Sequence, residues 1–237
     1  MHSEEFNYSD TTTQFKSKLF YDNKLSHKRP AILVVPDAWG CNDVAQNRAK
    51  KLAELGYLAL AVDMYGEGKT ATNFDEAIQF VIPILNDRPL IKKRIFLAYD
   101  NLLKLPAVDT DQIGAIGFCF GGLTILDLAR YGANIKAAVS FHGILKPLEN
   151  HQPQSIKAKV LILHGYVDPS VPPEQVNQFA QEMTNAKVDW QIHMYGNTVH
   201  AFTNPHANDP ASGRVYNATA EHRAWQAMEN FFSDIFK

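Results

Sequence analysis

Cys119 is the residue whose surroundings most clearly indicate chemistry. It is the third residue of the sequence GFCFGG at positions 117–122, so small residues stand two positions before it and two positions after it. Apolar residues 113–116 favour a buried strand before this segment, and residues 123–130 favour a helix after it. A nucleophile in a tight strand-to-helix turn needs small neighbours, because larger side chains would collide there. The spacing predicts a nucleophilic cysteine; the alternative is an ordinary buried cysteine in a glycine-rich turn.

Hydrolytic chemistry at Cys119 would need an oxyanion donor and a base. In such a turn the backbone N–H of Phe120 points at the carbonyl under attack, which predicts half of an oxyanion hole. A thiol with an ordinary pKa near 8.5 is mostly protonated at neutral pH, so a histidine must take its proton. His200 follows the nucleophile and a plausible acid, and lies in the loop expected before the terminal helix. His206 and His222 are the alternatives, and His200 could also be an ordinary solvated loop residue.

Asp168 is the acid that the sequence offers to this histidine. It is the only carboxylate in the loop that follows the apolar residues 160–163. Its predicted role is to accept the N–H of His200, which fixes the tautomer and stabilises the imidazolium. The alternative is a turn-forming aspartate before a proline. His142 and His164 each end a predicted strand before a glycine and could line the site, but we interpret them as structural loop residues and assign them no role.

The elements that must position these residues alternate along the chain. Apolar runs predict strands over residues 31–35, 57–62, 113–116, 135–141, 160–163 and 188–194, with a first edge strand over 13–21. Helical patterns cover residues 44–55, 74–85, 90–105, 123–130, 173–184 and 216–236. This alternation predicts an α/β fold with a mostly parallel central sheet and helices on both faces. Such sheets bind ligands beyond the carboxyl ends of their strands, where Asp37, Cys119, Asp168 and His200 all fall. We expect a single domain over residues 1–237.

Charge and composition narrow the function classes. The chain has 23 Lys and Arg against 25 Asp and Glu, so no strong positive charge favours nucleic acid or an anionic membrane. The polar, acidic start is not a secretory signal, and no apolar run approaches the ~18 residues of a membrane span. Two cysteines make no disulfide framework, so we expect a cytoplasmic protein. Metal-ligand spacing is lacking, so we expect no metal and no cofactor. A monomer is expected, with a homodimer as the open alternative.

In their order along the chain, these motifs resemble those of the dienelactone hydrolase family, the carboxymethylenebutenolidases and their relatives in the α/β-hydrolase superfamily. The resemblance spans nearly the whole chain and rests on PDAWG at 36–40, DMYG at 63–66, GFCFGG at 117–122, HGYVD at 164–168 and HAF at 200–202. It implies an α/β-hydrolase fold and a catalytic triad of Cys119, His200 and Asp168. It also implies that Ala38 supplies the second oxyanion N–H, beside that of Phe120.

The resemblance also implies substrate-binding residues near the oxyanion loop. Typical members carry a glutamate at the position of Asp37, where it helps to deprotonate the cysteine. Since aspartate is one methylene shorter, Asp37 is a candidate for the pocket only. Trp39 and Tyr65 are candidates for apolar pocket walls, with ordinary packing as the alternative. Dienelactone-cleaving members hold the substrate carboxylate with two arginines, where this chain has Glu67 and Asn204. The loss of both cations predicts that dienelactone is not the substrate.

These expectations combine into one function. We expect an esterase that hydrolyses a small-molecule ester or lactone through an acyl-thioester on Cys119. The alternative from another class is a non-catalytic redox or electrophile sensor that uses Cys119 together with Cys41. A relative that has lost its activity is the third interpretation.

Overall fold

The computed structural model describes residues 1–24, 27–149 and 156–236. Contacts between Cα atoms group the chain into two compact units, Met1–Ile116 and Gly117–Lys237. Each unit alternates strands and helices, as the sequence predicts. Among the helices of the described ranges, none has both the length and the apolar character that crossing a membrane requires. The expectation of a single domain over residues 1–237 stays a prediction.

The first unit contains β1 (His2–Ser9), β2 (Gln14–Tyr21), β3 (Arg29–Val35), β4 (Leu58–Ala61), most of β5 (Val108–Phe118), and helices α1 (Asp43–Glu54), α2 (Phe74–Leu85) and α3 (Arg88–Leu102). Strands β3 and β4 pair in parallel, whereas β2 pairs antiparallel with both β4 and β1. The prediction of an edge strand over residues 13–21 is therefore wrong, because β1 covers the whole outer side of β2. The sequence of β1 is polar and has no apolar run, so periodicity gave no signal for it.

Strand β3 shows why its sequence is apolar throughout. Every residue from Ala31 to Val35 is completely buried, although successive side chains of a strand point to opposite faces. Both faces of β3 are therefore covered, which is typical of parallel strands in α/β proteins. After β3 the side-chain oxygen of Asn42 accepts hydrogen bonds from the N–H groups of Val44 and Ala45, at 3.1 and 3.2 Å. This cap starts α1 and fixes the length of the loop over residues 36–42.

The second unit contains the end of β5, then α4 (Phe120–Arg130), β6 (Ala137–Phe141), β7 (Lys159–Gly165), α5 (Pro173–Asn185), β8 (Trp190–Tyr195), β9 (Asn208–Asp209), β10 (Arg214–Val215) and α6 (Ala218–Ile235). Strands β6, β7 and β8 pair in parallel in this order. Helices lie on both faces of these strands. Trp190 of β8 packs against Phe179 of α5, with ring centroids 6.3 Å apart, whereas Gln191 and His193 line a groove with α6. The predicted mostly parallel sheet with flanking helices is confirmed.

Candidate active site

Cys119 occupies the tight turn between β5 and α4. Its backbone has φ +53° and ψ −114°, in a region that costs a residue other than glycine about 1–3 kcal/mol and persists where the surroundings enforce it. The Cys119 N–H donates to the carbonyl of Phe141 on β6, at 3.1 Å. A Cβ at Gly117 would collide with the backbone of Gly121, so the turn requires a glycine there. The strained strand-to-helix turn that the sequence predicts is present.

The start of α4 leaves two N–H groups unbonded beside Cys119. The helix begins at Phe120 rather than at the predicted residue 123, so Phe120 and Gly121 lie in its first turn. The carbonyl of Cys119 accepts hydrogen bonds from the N–H groups of Gly122 and Leu123, at 3.0 and 3.3 Å. Those of Phe120 and Gly121 meet no acceptor within the described ranges. Free N–H groups at a helix start attract negative charge, so Phe120 has the donor that an oxyanion role requires.

A short hydrogen bond joins His200 to Asp168. Nδ1 of His200 lies 2.7 Å from Oδ2 of Asp168, and both side chains are almost completely buried. The other carboxylate oxygen accepts the N–H of Ser170 at 2.8 Å, which fixes the orientation of the carboxylate. The backbone of His200 is anchored on both sides, since its N–H donates to the carbonyl of Gly213 and its carbonyl accepts the N–H of Val215, at 3.0 and 3.2 Å. The structure thus brings the predicted acid and the predicted histidine together.

Cys119 and Asp168 set the charge of His200. Burial disfavours the protonated ring of His200 and lowers its pKa. Cys119 and Asp168 outweigh this effect, Cys119 mainly through its negative charge and Asp168 through its hydrogen bond and its charge, and raise the pKa of His200 to about 10. The ring is therefore an imidazolium at neutral pH. Because Cys119 is the largest of the causes that raise this pKa, its side chain lies close enough to act on the ring of His200. This arrangement supplies an imidazolium, which is an acid, beside the side chain of Cys119.

Two further histidines, to which the sequence assigned no role, lie close to this group. His142, at the end of β6, is completely buried with φ +39°, and its ring centroid lies 5.1 Å from that of His200. Its Nε2 lies 2.8 Å from Oγ1 of Thr203. His164, at the end of β7, is buried too, and burial lowers its pKa against the opposing charge of Asp168. The signal that could have indicated both is their position before a glycine at the carboxyl end of a strand.

The remaining predicted site residues belong to the loops that follow β3 and β4 in the first unit. Oδ1 of Asp37 accepts the N–H of Trp39 at 3.1 Å, and the hydroxyl of Tyr65 donates to the carbonyl of Ala38 at 2.9 Å. Asp37 and Tyr65 are buried, whereas Ala38 and Trp39 are half-buried. The N–H of Ala38 donates to no acceptor in the part of the chain that the structure describes. Tyr65 thus supports the loop that presents this N–H.

Asp63 organises the loop after β4, a role that its place in the DMYG segment did not reveal. Its carboxylate accepts backbone hydrogen bonds of 2.8–2.9 Å from Lys16, Tyr65, Gly66 and Gly68. Glu67 stands in this loop with φ +57°, and its carboxylate lies 3.6 Å from Nζ of Lys16 on β2. The loop therefore carries a negative side chain, paired on the surface, at the position where dienelactone-cleaving members carry an arginine.

Two observations bear on chemistries other than hydrolysis. The thiol of Cys41 is buried and donates to the carbonyl of Ala61 at 3.4 Å, and burial raises its pKa to about 12. Such a thiol stays protonated at neutral pH and reacts slowly, which disfavours a sensor built on Cys41. Across the described ranges, no three His, Cys, Asp or Glu side chains are grouped so that they could hold a metal ion.

The fold of the chain is the α/β-hydrolase fold. The structure of an α/β-hydrolase enzyme from a Medee basin deep-sea metagenome library matches it with a TM-score of 0.69 and 17% identity, over 98% of this chain and 98% of that one. At this identity the likeness concerns the fold alone. The predicted α/β-hydrolase fold is confirmed, and its carboxyl-end loops are those that carry Cys119, Asp168 and His200.

The family follows from the sequence. The model of the dienelactone hydrolase family matches residues 17–236, and the chain belongs to this family. A putative carboxymethylenebutenolidase of Yersinia pestis is 27% identical over 215 residues, which are 86% of this chain and 78% of that protein. The structure of a dienelactone hydrolase-like promiscuous phosphotriesterase from metagenomic libraries is 40% identical with a TM-score of 0.93, over 100% of this chain and 99% of that one. The chain is a hydrolase that acts on ester or lactone bonds, as predicted.

Proposed function

We propose that this hydrolase cleaves small neutral esters or lactones with Cys119 as its nucleophile, through an acyl-thioester intermediate. The observations that support this proposal are the 2.7 Å hydrogen bond between His200 and Asp168 and the place of Cys119 in the strained turn before α4, from which its charge acts on His200. We expect His200 to take the proton of the Cys119 thiol, so that the sulfur attacks as a thiolate.

In the first half-reaction the sulfur of Cys119 attacks the carbonyl carbon, a C–S bond forms, and the carbonyl oxygen takes up the electron pair. Phe120 donates its free N–H to this oxyanion, and Ala38 is the second donor that membership of the family implies. Each such donor is worth about 3 kcal/mol in the transition state. The intermediate then expels the alkoxide, which takes the Nε2 proton of His200. A thioester and a neutral imidazole remain.

In the second half-reaction water replaces the alcohol. Neutral His200 takes a proton from the water as its oxygen attacks the thioester carbon. The C–S bond breaks, the sulfur leaves with its electron pair, and the acid departs. Throughout, Asp168 accepts the hydrogen bond from Nδ1–H of His200, and it stabilises the imidazolium that forms again.

The charges near the substrate positions of the family support a neutral substrate. Glu67 is paired with Lys16, and Asn204 uses its side-chain oxygen to accept the N–H of His206 at 3.0 Å. Neither residue supplies the cation that would hold a substrate carboxylate. The enzyme therefore acts on uncharged esters and lactones in preference to dienelactone. Asp37, Trp39 and Tyr65 remain the proposed substrate-binding residues.

A phosphotriester is the second candidate substrate class. It is favoured by the relative described as a promiscuous phosphotriesterase, which is 40% identical over the whole of this chain. Attack of the Cys119 sulfur on phosphorus would form a P–S bond, expel an aryloxide and leave an S-phosphorylated cysteine. Water would then cleave the P–S bond, as it cleaves the C–S bond of the acyl-thioester. The same nucleophile and the same histidine serve both reactions.

The test compares wild type, Cys119→Ala and Cys41→Ala on p-nitrophenyl acetate, butyrate and octanoate, on diethyl p-nitrophenyl phosphate, and on dienelactone. Activity should vanish in Cys119→Ala and persist in Cys41→Ala, and intact-mass analysis should detect an acyl adduct on the two active proteins. Equal rates in wild type and Cys119→Ala would overturn the proposal. Peptide mapping after mild peroxide would then examine the sensor, which requires a Cys41–Cys119 link. Dienelactone cleavage as efficient as that of the neutral esters would refute the neutral-substrate assignment.

A further inference from the structure

Strand β8 has one side of its backbone without a partner. It pairs with β7, and no other strand of the described ranges lies beside it. The carbonyls of Asp189 and Tyr195 accept hydrogen bonds from the β7 side, from the N–H groups of Val160 and Tyr166. In a strand, the backbone N–H and C=O groups of successive residues point alternately to its two sides. Those of residues 190, 192 and 194 therefore face away from β7. They make no hydrogen bond within the described ranges.

The composition of β8 is typical of a strand that pairs with a neighbour on both sides. Its sequence, WQIHMY, contains no acidic residue, lysine, arginine or proline, the residues with which proteins protect exposed strand edges. Strand β1, whose outer side is also unpaired, carries Glu4 and Glu5 in its middle. On β8 the side chains of Trp190 and Ile192 are half-buried and that of Met194 is 49% exposed. The edge at β1 is thus protected by charge, whereas the edge at β8 has no acidic residue, lysine or arginine.

We infer that β8 pairs antiparallel with β8 of a second copy of this chain, about a two-fold axis at Ile192. In this register residue 190 faces 194 of the other copy, 192 faces 192, and 194 faces 190. These are the residues whose backbone groups are unpaired, and each facing pair exchanges two hydrogen bonds. An axis at Gln191 or His193 would lose one of the three pairs, because β8 spans only Trp190–Tyr195. Ile192 is therefore the centre that pairs the most backbone groups.

The side chains are complementary about the same centre. On the α5 face, Trp190 meets Met194 of the other copy, an aromatic–sulfur contact, and Ile192 meets itself. On the α6 face, Gln191 meets His193, so an amide stands opposite an imidazole that can donate or accept. No pair places like charges opposite each other, which would destabilise a two-fold strand pair.

Charged residues of α6 are also complementary about this two-fold axis. Arg223 and Asp234 both line the groove of about 330 Å³ between α6 and β8, near the two ends of α6, and neither forms an ion pair within the described ranges. Arg223 stands near Tyr195, on whose phenol its charge acts, at the carboxyl end of β8. An antiparallel two-fold brings that end of one copy to the amino end of the other. The positive end of each groove then adjoins the negative end of its partner's groove.

The test is the mass in solution, measured by sedimentation velocity between about 1 and 100 µM chain, where single-chain and dimer masses are readily separated. Wild type should sediment as a dimer of 26.6 kDa chains. Ile192→Lys and Met194→Lys should raise the dimer dissociation constant at least tenfold, because each adds a charge beside the paired edge. Asn7→Lys, which adds the same charge to β1, should leave the dimer intact. Hydrolysis of p-nitrophenyl acetate reports that each variant is folded.

A charge exchange tests the register. Arg223→Asp and Asp234→Arg alone should each weaken the dimer, and the two together should restore it, since they exchange the signs across the axis. A wild type that stays a single chain at 100 µM would overturn the proposal. So would a dimer that survives both Ile192→Lys and Met194→Lys. The assembly and the chemistry at Cys119 are independent, so neither outcome affects the proposed reaction.

Discussion

Asp168→Asn removes one of the contacts that raise the pKa of His200. The 2.7 Å hydrogen bond from Nδ1 of His200 ends on a carboxylate that is almost completely buried, so its full charge acts on the ring. Asparagine has nearly the same size and leaves the packing in place. The substitution removes the negative charge, and the amide can turn its NH₂ group toward Nδ1, which favours the wrong tautomer.

The expected magnitude follows from the strength of such a bond. A hydrogen bond to a charged group contributes about 1.5–3 kcal/mol, and one pKa unit corresponds to about 1.36 kcal/mol, so the pKa of His200 should fall by roughly one to two units. In wild type that pKa is raised to about 10, so the imidazolium is kept below about pH 10 and lost above it. In the variant the loss should begin near pH 8 to 9. If the about 1.5–3 kcal/mol of this hydrogen bond is also lost from the transition state, the rate at neutral pH should fall roughly 10- to 150-fold.

The assay is the pH dependence of kcat/KM for an alkyl ester such as methyl butyrate, between pH 6 and about 10.5. An alkoxide is a poor leaving group and needs the proton of His200, whereas p-nitrophenolate leaves without one. For the methyl ester, the alkaline fall in kcat/KM should therefore occur at lower pH in Asp168→Asn than in wild type. For p-nitrophenyl butyrate this fall should be much smaller. Cys119→Ala supplies the background hydrolysis, and Asp111→Asn, an exposed carboxylate on β5, is the matched control.

Two results would refute this reasoning. An alkaline limb at the same pH in wild type and Asp168→Asn would mean that Asp168 does not hold the proton on His200. A rate within threefold of wild type at pH 7 would mean that the hydrogen bond contributes nothing to the transition state. Loss of activity in both Asp168→Asn and Asp111→Asn would indicate a fault in folding, which circular dichroism would detect.

Two further substitutions test the supports of the site. In Gly122→Ala the new Cβ would lie 2.6 Å from Cα of Gly143 and force α4 away from β6. We therefore expect about 1–3 kcal/mol of destabilisation and a Tm lower by about 2–12 °C in calorimetry. Gly196→Ala, where a Cβ meets nothing within 4 Å, is the control, and an equal Tm change in both would contradict the argument. In Tyr65→Phe the loss of the hydroxyl bond to the Ala38 carbonyl should lower kcat about 2- to 10-fold with little change in KM. Tyr195→Phe, which removes a buried hydroxyl that has no partner within the described ranges, should leave kcat unchanged.

The sequence predicted the parts of the site that depend on local sterics and chain order. The turn around Cys119 can be predicted because glycine is needed where a Cβ at position 117 would meet the backbone of Gly121. The buried strands could be predicted because their apolar runs cover both faces, as in Ala31–Val35. His200 and Asp168 follow from the order of nucleophile, acid and histidine along the chain. Their hydrogen bond confirms the proximity, and their roles stay predictions.

What the sequence missed depends on contacts between distant segments. The position of His142 and His164 at strand ends made both possible site residues, but nothing in the local sequence states that either ring lies near His200. The four backbone hydrogen bonds to Asp63 come partly from β2, which precedes it by more than forty residues. Strand β1 is stabilised by its register with β2 rather than by its own apolar pattern. In each case long-range packing decides the structure, and periodicity cannot report it.

The electrostatics of the site explain why this turn suits a cysteine. The charge of Cys119 is the largest of the causes that raise the pKa of His200 to about 10, and a free thiol ordinarily ionises near pH 8.5. A serine hydroxyl ionises far above that pKa, as water does, and would keep its proton. It would also remove the negative charge that is the largest of the causes raising the pKa of His200. We therefore expect the pKa of His200 to be lower in a Cys119→Ser variant than in the wild type.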